Sequence, residues 1–100
     1  MKIRPELSQI RDALQRQLPE LREKYGVVSL SLFGSFVRSE QHAESDLDIL
    51  VSFREAPSLF RLVELENLLS DELGVKVDLV MKDSLKPRIG ERILQEAVPV

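Results

Sequence analysis

The sequence predicts an α/β fold in which helices flank a mixed sheet of three strands, within one domain that spans residues 1–100. Segments with apolar residues at helical spacing alternate with segments in which every second residue is apolar. The second and third predicted strands enclose a helix, and such a unit makes the two strands parallel. The first two strands are joined by only twelve residues, Gly34–Ser45, which is short for a crossover and predicts an antiparallel pair.

The first predicted element is a helix near the N-terminus. Its apolar residues recur at spacings of three and four: Leu7, Ile10, Leu14, Leu18, Leu21 and Tyr25. Proline lacks an N–H group and clashes with the preceding turn, so we expect a kink or a restart at Pro19. Gly26 is the expected end of the second piece of the helix.

Two strands are expected next. The first covers Val27–Phe33, a β-rich run that ends at Gly34. Its apolar face is predicted to consist of Val28, Leu30 and Leu32. The second covers Asp46–Phe53, where alternate residues form an apolar face. The connection between them leaves room for one helical turn and a loop.

The second half of the chain predicts a helix, a strand and a last short helix. The helix is predicted to run from about Ser58 to Leu73, with Gly74 as its cap. Its leucines recur at helical spacing: Leu59, Leu62, Leu65, Leu69 and Leu73. Phe60 and Leu68 fall outside this stripe and are candidates for contact with another chain, so a homo-oligomer is an open interpretation. The third strand is indicated by Val75, Val77, Leu79 and Met81. The last helix is indicated by Ile89, Ile93, Leu94 and Ala97.

Composition and charge exclude several classes of protein. The chain has no cysteine, which removes disulfides, zinc–thiolate sites and thiol nucleophiles. Its apolar runs are far shorter than the ~20 residues that cross a bilayer, and charges interrupt the N-terminal stretch where a signal peptide would need an apolar core. We therefore expect a cytoplasmic protein without a membrane partner. A net charge of -3 and the low aromatic content of 5% disfavour a nucleic-acid-binding module.

Three carboxylates are candidates for catalysis and for metal binding. Asp46 and Asp48 are two residues apart on a predicted strand, so both leave the same face, with Cα atoms about 6.8 Å apart. Asp78 joins them if its strand lies beside the second strand, at a spacing of ~4.8 Å. Oxygen-only ligands favour Mg²⁺ or Mn²⁺, and two such ions would stabilise the attacking and leaving oxygens of an in-line displacement. An Asp-x-Asp pair on its own is more often the polar face of a strand.

A Gly-Ser turn is the candidate phosphate site. The antiparallel pair brings Gly34 and Ser35 beside Asp46, and glycine permits close approach of the backbone. If a helical turn begins at Ser35, its free N–H groups and the hydroxyl form a site for nucleotide phosphates, although the same hydroxyl would serve equally well as a helix cap. Arg38, one turn later, is a candidate to neutralise part of a triphosphate, or else a solvated surface residue.

These residues resemble a known signature. Gly34-Ser35, ten intervening residues and Asp46-Leu47-Asp48 are similar to the signature of the DNA-polymerase-beta-like nucleotidyltransferases, in particular the minimal nucleotidyltransferases. The resemblance covers nearly the whole chain, through the runs Ser31–Arg38, Ser45–Val51, Val77–Val80 and Lys86–Arg88. Ser39 departs from the glycine usual in relatives at that position, without touching an inferred ligand.

The resemblance implies both a fold and a set of roles. The fold is the small nucleotidyltransferase fold. Asp46 and Asp48 are implied as metal ligands and Asp78 as the third carboxylate and base. Gly34 and Ser35 are implied as contacts of the nucleotide phosphates.

The resemblance also implies a function. Small members of this family are often encoded with a helical HEPN-type toxin, and some are antitoxins that transfer AMP from ATP to a tyrosine of that partner. The implied activity is therefore Mg²⁺-dependent transfer of NMP, here AMP from ATP, to a hydroxyl acceptor. The alternative is an antitoxin or scaffold that neutralises its partner by binding alone. The acceptor, the base preference and the number of resting metal ions stay open at this point.

Overall fold

Helices and strands alternate along the computed structural model, which describes residues 6–38 and 46–100. The elements of these ranges are α1 (Leu7–Tyr25), β1 (Val27–Phe33), β2 (Leu47–Phe53), α2 (Leu59–Leu73), β3 (Val77–Met81), a 3₁₀ turn (Lys82–Ser84), α3 (Pro87–Glu96) and β4 (Val98–Pro99). The predicted α/β fold and the order of its predicted elements are confirmed. Ser39 lies outside the described residues.

The sheet has the order β3-β2-β1-β4. As predicted, β1 and β2 are antiparallel and β2 and β3 are parallel. The expected number of three strands was wrong, because β4 adds a fourth: Leu32 pairs with Val98, and the Val100 N–H donates to the Leu30 carbonyl oxygen at 3.0 Å. A two-residue strand that contains a proline has no periodicity, so only its docking on β1 makes it a strand.

Helix α1 is continuous, so the expected restart at Pro19 was wrong. Pro19 is exposed, and it removes only its own N–H from the helix. The opposite face is held by the buried Ile10, Leu14 and Leu21. Gly26 ends the helix as predicted, with φ 71° and its N–H on the Leu21 carbonyl oxygen.

A register shift near the start of β1 corrects the predicted inner face. Val27, and not Val28, enters the core: Val27 is 1% exposed and Val28 is 47% exposed. The pairing with β2 shifts between Val27 and Ser29, as in a β-bulge. One extra residue reverses the parity of everything before it, and this explains why strict alternation misplaced Val28.

Helix α2 begins at a Ser58 cap, whose Oγ accepts from the Arg61 N–H at 3.2 Å. Leu65, Leu69 and Leu73 are buried as predicted, but Leu59 is 74% exposed. Periodicity identifies the inner face of a helix and not how far the sheet beneath it extends, so this assignment was wrong. Phe60 and Leu68 are exposed, as expected for residues outside the stripe.

Helix α3 confirms the last predicted helix, with two differences in its apolar residues. Ile89 and Leu94 are 59% and 48% exposed, and Ala97 follows the last helical turn. The core lies between the sheet and the inner faces of α1 and α2, and its fully buried members include Leu14, Leu32, Leu47, Ile49, Val51 and Leu69. None of the helices in the described ranges combines the length and hydropathy needed to cross a bilayer.

Candidate active site

Asp48 lies at the centre of the candidate site. On β2 it pairs with Asp78 of the parallel strand β3 and, on its other side, with Phe33, the last residue of β1. Since Gly34 follows Phe33, the sheet places the Gly-Ser turn on one side of Asp48 and the third carboxylate on the other. Asp78 therefore lies beside Asp48 as predicted, whereas the Gly-Ser turn, which was expected beside Asp46, lies beside Asp48.

Gly34 approaches the Asp48 carboxylate so closely that only glycine fits there. Its φ is +84°, which side-chain-bearing residues rarely adopt. A Cβ atom at this position would overlap Oδ2 of Asp48 and lie 3.1 Å from its Cγ. The close backbone approach predicted for Gly34 is thus directed at a carboxylate of the site.

The expected helical turn follows Gly34. The N–H groups of Val37 and Arg38 both donate to the Gly34 carbonyl oxygen, at 3.1 and 3.2 Å. Phe36, 1% exposed, anchors the turn in the core, and Ser35 is half-buried beside Gly34. We call residues 34–38 the Gly34 turn.

Glu96, the last residue of α3, holds the Gly34 turn and was not among the predicted site residues. Its Oε2 accepts from the Gly34 N–H at 2.9 Å, and its Oε1 accepts from Arg38 Nη1 at 2.7 Å. These bonds join residues 62 and 58 positions apart. No local sequence signal could have found them.

The pKa values of Asp48 and Asp78 are raised, in part by the charges of neighbouring carboxylates. Burial, then the charges of Asp78 and Asp46, raise the pKa of Asp48 to about 6, while Arg38 opposes the shift. Burial, followed by the charges of Glu66 and Asp46, also raises the pKa of Asp78. Both groups bind a proton more readily than an ordinary aspartate, as is common where carboxylates share a site.

Asp46 immediately precedes β2 and pairs with a lysine. Its Oδ2 lies 3.9 Å from Nζ of Lys76, an exposed residue before β3. The backbone of the same lysine accepts from the Leu47 N–H at 2.8 Å, and this ties the starts of the two parallel strands together. Lys76 also moderates the raised pKa of Asp78.

Two residues of α2 hold the strand that carries Asp78. Ser70 Oγ accepts from the Val77 N–H, and Glu66 Oε2 accepts from the Leu79 N–H, each at 2.9 Å. β3 is an edge strand, so these side chains satisfy backbone donors that no neighbouring strand pairs. Neither residue was among the predicted site residues, because a polar residue on an amphipathic helix is usually solvated.

The donor set fits a hard divalent cation by its chemistry. Asp46, Asp48 and Asp78 offer oxygen atoms only, and their mutual repulsion is the kind that a cation relieves. Within residues 6–38 and 46–100, however, no three His, Asp or Glu side chains already converge as a ready-made metal site. The assignment of these carboxylates as metal ligands therefore stays a prediction.

Two cavities differ in their relation to the site. One, of about 260 Å³, adjoins the Gly34 turn and is lined by Arg38, Ile89, Arg92, Ile93 and Glu96. A larger one, of about 420 Å³, is lined by residues around Tyr25, Arg54 and Arg61, and none of the predicted site residues lines it. The smaller cavity is therefore the one next to the candidate chemistry.

The fold and the paired carboxylates beside a Gly-Ser turn define a nucleotide-handling enzyme of the α/β class. Residues 14–100 match the family described as nucleotidyltransferase domain. The chain belongs to this family and is a nucleotidyltransferase.

One curated relative is the protein adenylyltransferase MntA of Thermococcus cleftensis. It is 49% identical over 94 residues, which cover 94% of this chain and 95% of that protein. The similarity therefore extends over nearly the full length of both.

Solved structures show the same fold. A chain provisionally described as a minimal nucleotidyltransferase aligns with a TM-score of 0.80 and 38% identity, over 96% of this chain and 97% of that one. A chain of a complex described as a tri-AMPylated Shewanella oneidensis HEPN toxin with MNT antitoxin aligns with a TM-score of 0.66 and 21% identity, over 90% and 70%. The predicted small nucleotidyltransferase fold is thus confirmed.

Proposed function

We propose that this nucleotidyltransferase is a protein adenylyltransferase that moves AMP from ATP to a hydroxyl group of a partner protein. The observation that carries the proposal is the position of Asp48, paired with Asp78 and in close approach to Gly34, in a chain 49% identical to a named protein adenylyltransferase. We propose further that the partner is a HEPN-type toxin, that the acceptor is a tyrosine, and that the chain acts as the antitoxin.

The proposed reaction is a single in-line displacement. The acceptor oxygen attacks the α-phosphorus of ATP, the bond from that phosphorus to the bridging oxygen of the β-phosphate breaks, and pyrophosphate leaves. The hydroxyl proton passes to a carboxylate, for which we propose Asp78. Asp78 is the proposed acceptor because it lies directly beside Asp48 on the neighbouring parallel strand.

The proposed cofactor is Mg²⁺, with Mn²⁺ as an equivalent, held by Asp46, Asp48 and Asp78 as two ions. When bound, such ions offset the negative charge of the phosphates and the repulsion among the carboxylates. Ser35 and Arg38 are the proposed phosphate contacts. Their turn starts beside Asp48, so phosphates and carboxylates would face each other across the same short gap.

A labelling experiment tests the proposal. The purified protein is incubated with Mg²⁺ and ATP labelled at either the α- or the γ-phosphate, together with a HEPN-type protein encoded beside it. Asp46→Asn is the test variant. Asp71→Asn is its control, because Asp71 is an exposed carboxylate of α2 that is not among the predicted site residues.

Transfer of only the α label to the partner, lost in Asp46→Asn and retained in Asp71→Asn, is the expected result. Mass spectrometry of the labelled partner then identifies the acceptor, and a site other than tyrosine would contradict that part of the proposal. If no label moves while wild type and Asp46→Asn neutralise the partner equally well, the chain is an antitoxin that acts by binding alone.

A further inference from the structure

The carboxylate of Glu96 bridges the two ends of the Gly34 turn. One oxygen accepts from the Gly34 N–H at 2.9 Å and the other accepts from Arg38 Nη1 at 2.7 Å. The second distance is typical of a charge-assisted hydrogen bond. The side chain of Glu96 is only 23% exposed, so the bridge is partly shielded from water.

The backbone on both sides of Glu96 is fixed. On its N-terminal side, Glu96 is preceded by the continuous helix α3. The residue after Glu96, Ala97, donates its N–H to the Ile93 carbonyl oxygen at 2.8 Å. Further towards the C-terminus, Val98 pairs with Leu32 of β1, the strand that leads directly into Gly34. Glu96 and the turn are therefore both anchored to β1, which gives the carboxylate little freedom to leave.

The neighbouring groups favour the ionised form of the Glu96 carboxylate. The hydrogen bond from Arg38, and next the one from the Gly34 N–H, lower the pKa of Glu96. The same pair acts on the neighbouring carboxylate, because Arg38 lowers the pKa of Asp48 and Glu96 raises it. The bridge thus lies within electrostatic reach of the proposed metal ligands.

We propose that Glu96 is a positioning residue for nucleotide binding: it fixes the Gly34 turn against Asp48 and aims the Arg38 guanidinium. This inference rests on the proposed function. It also assigns the Gly34 N–H to Glu96 and not to a phosphate, which leaves Ser35 and Arg38 to bind the nucleotide. The small cavity beside the turn, which Glu96 and Arg38 both line, is the space that this arrangement keeps in shape.

A competing interpretation, in which Glu96 blocks the nucleotide, predicts the opposite change in nucleotide affinity when Glu96 is removed. Glu96 accepts hydrogen bonds from a backbone N–H group and a guanidinium, and a phosphate could accept from the same two donors. If Glu96 competed with the nucleotide, its removal would tighten binding. If Glu96 positions the turn, its removal weakens binding.

Calorimetric titration with AMP-PNP in the presence of Mg²⁺ distinguishes a positioning role of Glu96 from competition with the nucleotide. For Glu96→Ala we expect the Kd to rise about tenfold, as for the loss of a hydrogen bond to a charged group. Glu96→Gln retains one acceptor oxygen and is expected to restore part of the affinity. Glu91→Ala, an exposed neighbour on α3, is the matched control and should change the Kd less than twofold. An unchanged or lower Kd for Glu96→Ala overturns the proposal.

A second readout follows the bridge itself. The chain has four glycines, so labelling with ¹⁵N-glycine gives a spectrum of four amide signals. In Glu96→Gln the Gly34 signal should shift, while those of Gly26 and Gly74 stay in place and report an intact fold. A Gly34 signal that does not move contradicts the bridge.

The outcomes also separate this inference from the function on which it rests. If wild-type protein binds AMP-PNP but Glu96→Ala binds it equally well, only the role of Glu96 fails. If wild type does not bind the nucleotide, both fail.

Discussion

The α-carbon of Gly34 faces the carboxylate of Asp48 without room for a side chain between them. A Cβ atom on Gly34 would overlap Oδ2 of Asp48 and lie 3.3 Å from its Cβ. The end of β1 and the start of β2 are therefore packed against each other through a site residue. The glycine of the Gly-Ser motif sets the position of a carboxylate as well as the path of the turn.

Gly34→Ala should consequently lower the free energy of unfolding by more than backbone strain alone would. The same change at Gly74 provides a matched control, since its φ is +72° and nothing lies within 4 Å of an added Cβ. We expect Gly74→Ala to lower the free energy of unfolding by about 1 kcal/mol, from strain in the left-handed region alone. Gly34→Ala should lower it further and reduce transfer more than tenfold. Denaturant unfolding of both variants checks this, and equal losses would contradict the packing argument.

Asp48→Asn should stabilise the protein in a pH-dependent way. The pKa of Asp48 is about 6 in the folded state against an ordinary value of 3.8, so above pH 6 the ionised carboxyl costs stability. The cost declines as the pH falls through 6, is much smaller near pH 4, and vanishes only below about pH 3, where the folded and unfolded chains are both largely protonated at this group. Asparagine removes the cost at every pH.

The expected gain is about 1 kcal/mol at pH 7.5, well below the full value of the pKa difference because Asp48 is partly exposed. Urea unfolding of wild type and Asp48→Asn at pH 7.5 and pH 4 measures it. Asp71→Asn is the control. A gain that is the same at both pH values would show that the ionisation of Asp48 is not its cause.

Millimolar Mg²⁺ should raise the melting temperature if the three carboxylates bind it. A ligand that binds only the folded chain stabilises it by mass action, and a shift of about 2 °C or more is expected. Asp46→Asn and Asp78→Asn should lose most of this shift, and EDTA should abolish it in wild type. An equal shift in Asp46→Asn would place the ion elsewhere. The readout needs neither ATP nor an acceptor, so it tests the metal site independently of transfer.

Ser70→Ala should loosen the strand that carries Asp78. It removes the acceptor of the Val77 N–H and the donor to the Glu66 carbonyl oxygen at 2.8 Å, both partly buried. The expected loss in the free energy of unfolding is about 1–2 kcal/mol. Ser84→Ala, at an exposed position of the 3₁₀ turn, should change it by less than about 0.5 kcal/mol. Chemical denaturation distinguishes them, and faster hydrogen exchange at Val77 would confirm the cause.

Local periodicity was sufficient to predict the three helices, the strands β1, β2 and β3, and two of the relations between site residues. The parity of β2 placed Asp46 and Asp48 on one face, and the strand-helix-strand order placed Asp78 beside them. The pairing of Asp48 directly with Asp78 is a matter of register, which the pattern left open within a few residues. The restart at Pro19 and the inward orientation of Val28 were wrong, because burial of the other helix face outweighs one missing bond and a single bulge reverses strand parity.

By itself, the sequence determined the α/β fold, the order of its elements and the set of candidate carboxylates, since each depends on spacings within a few residues. Only the tertiary structure decided that β4 completes the sheet and that Glu96 bridges Gly34 and Arg38. It also decided that Ser70 and Glu66 hold the strand of Asp78. These contacts join groups from different elements, and a polar side chain carries no periodic sign of which distant backbone it will meet. The candidate site residues can be recognised from short sequence motifs, whereas the contacts that hold them in place join elements far apart in the sequence.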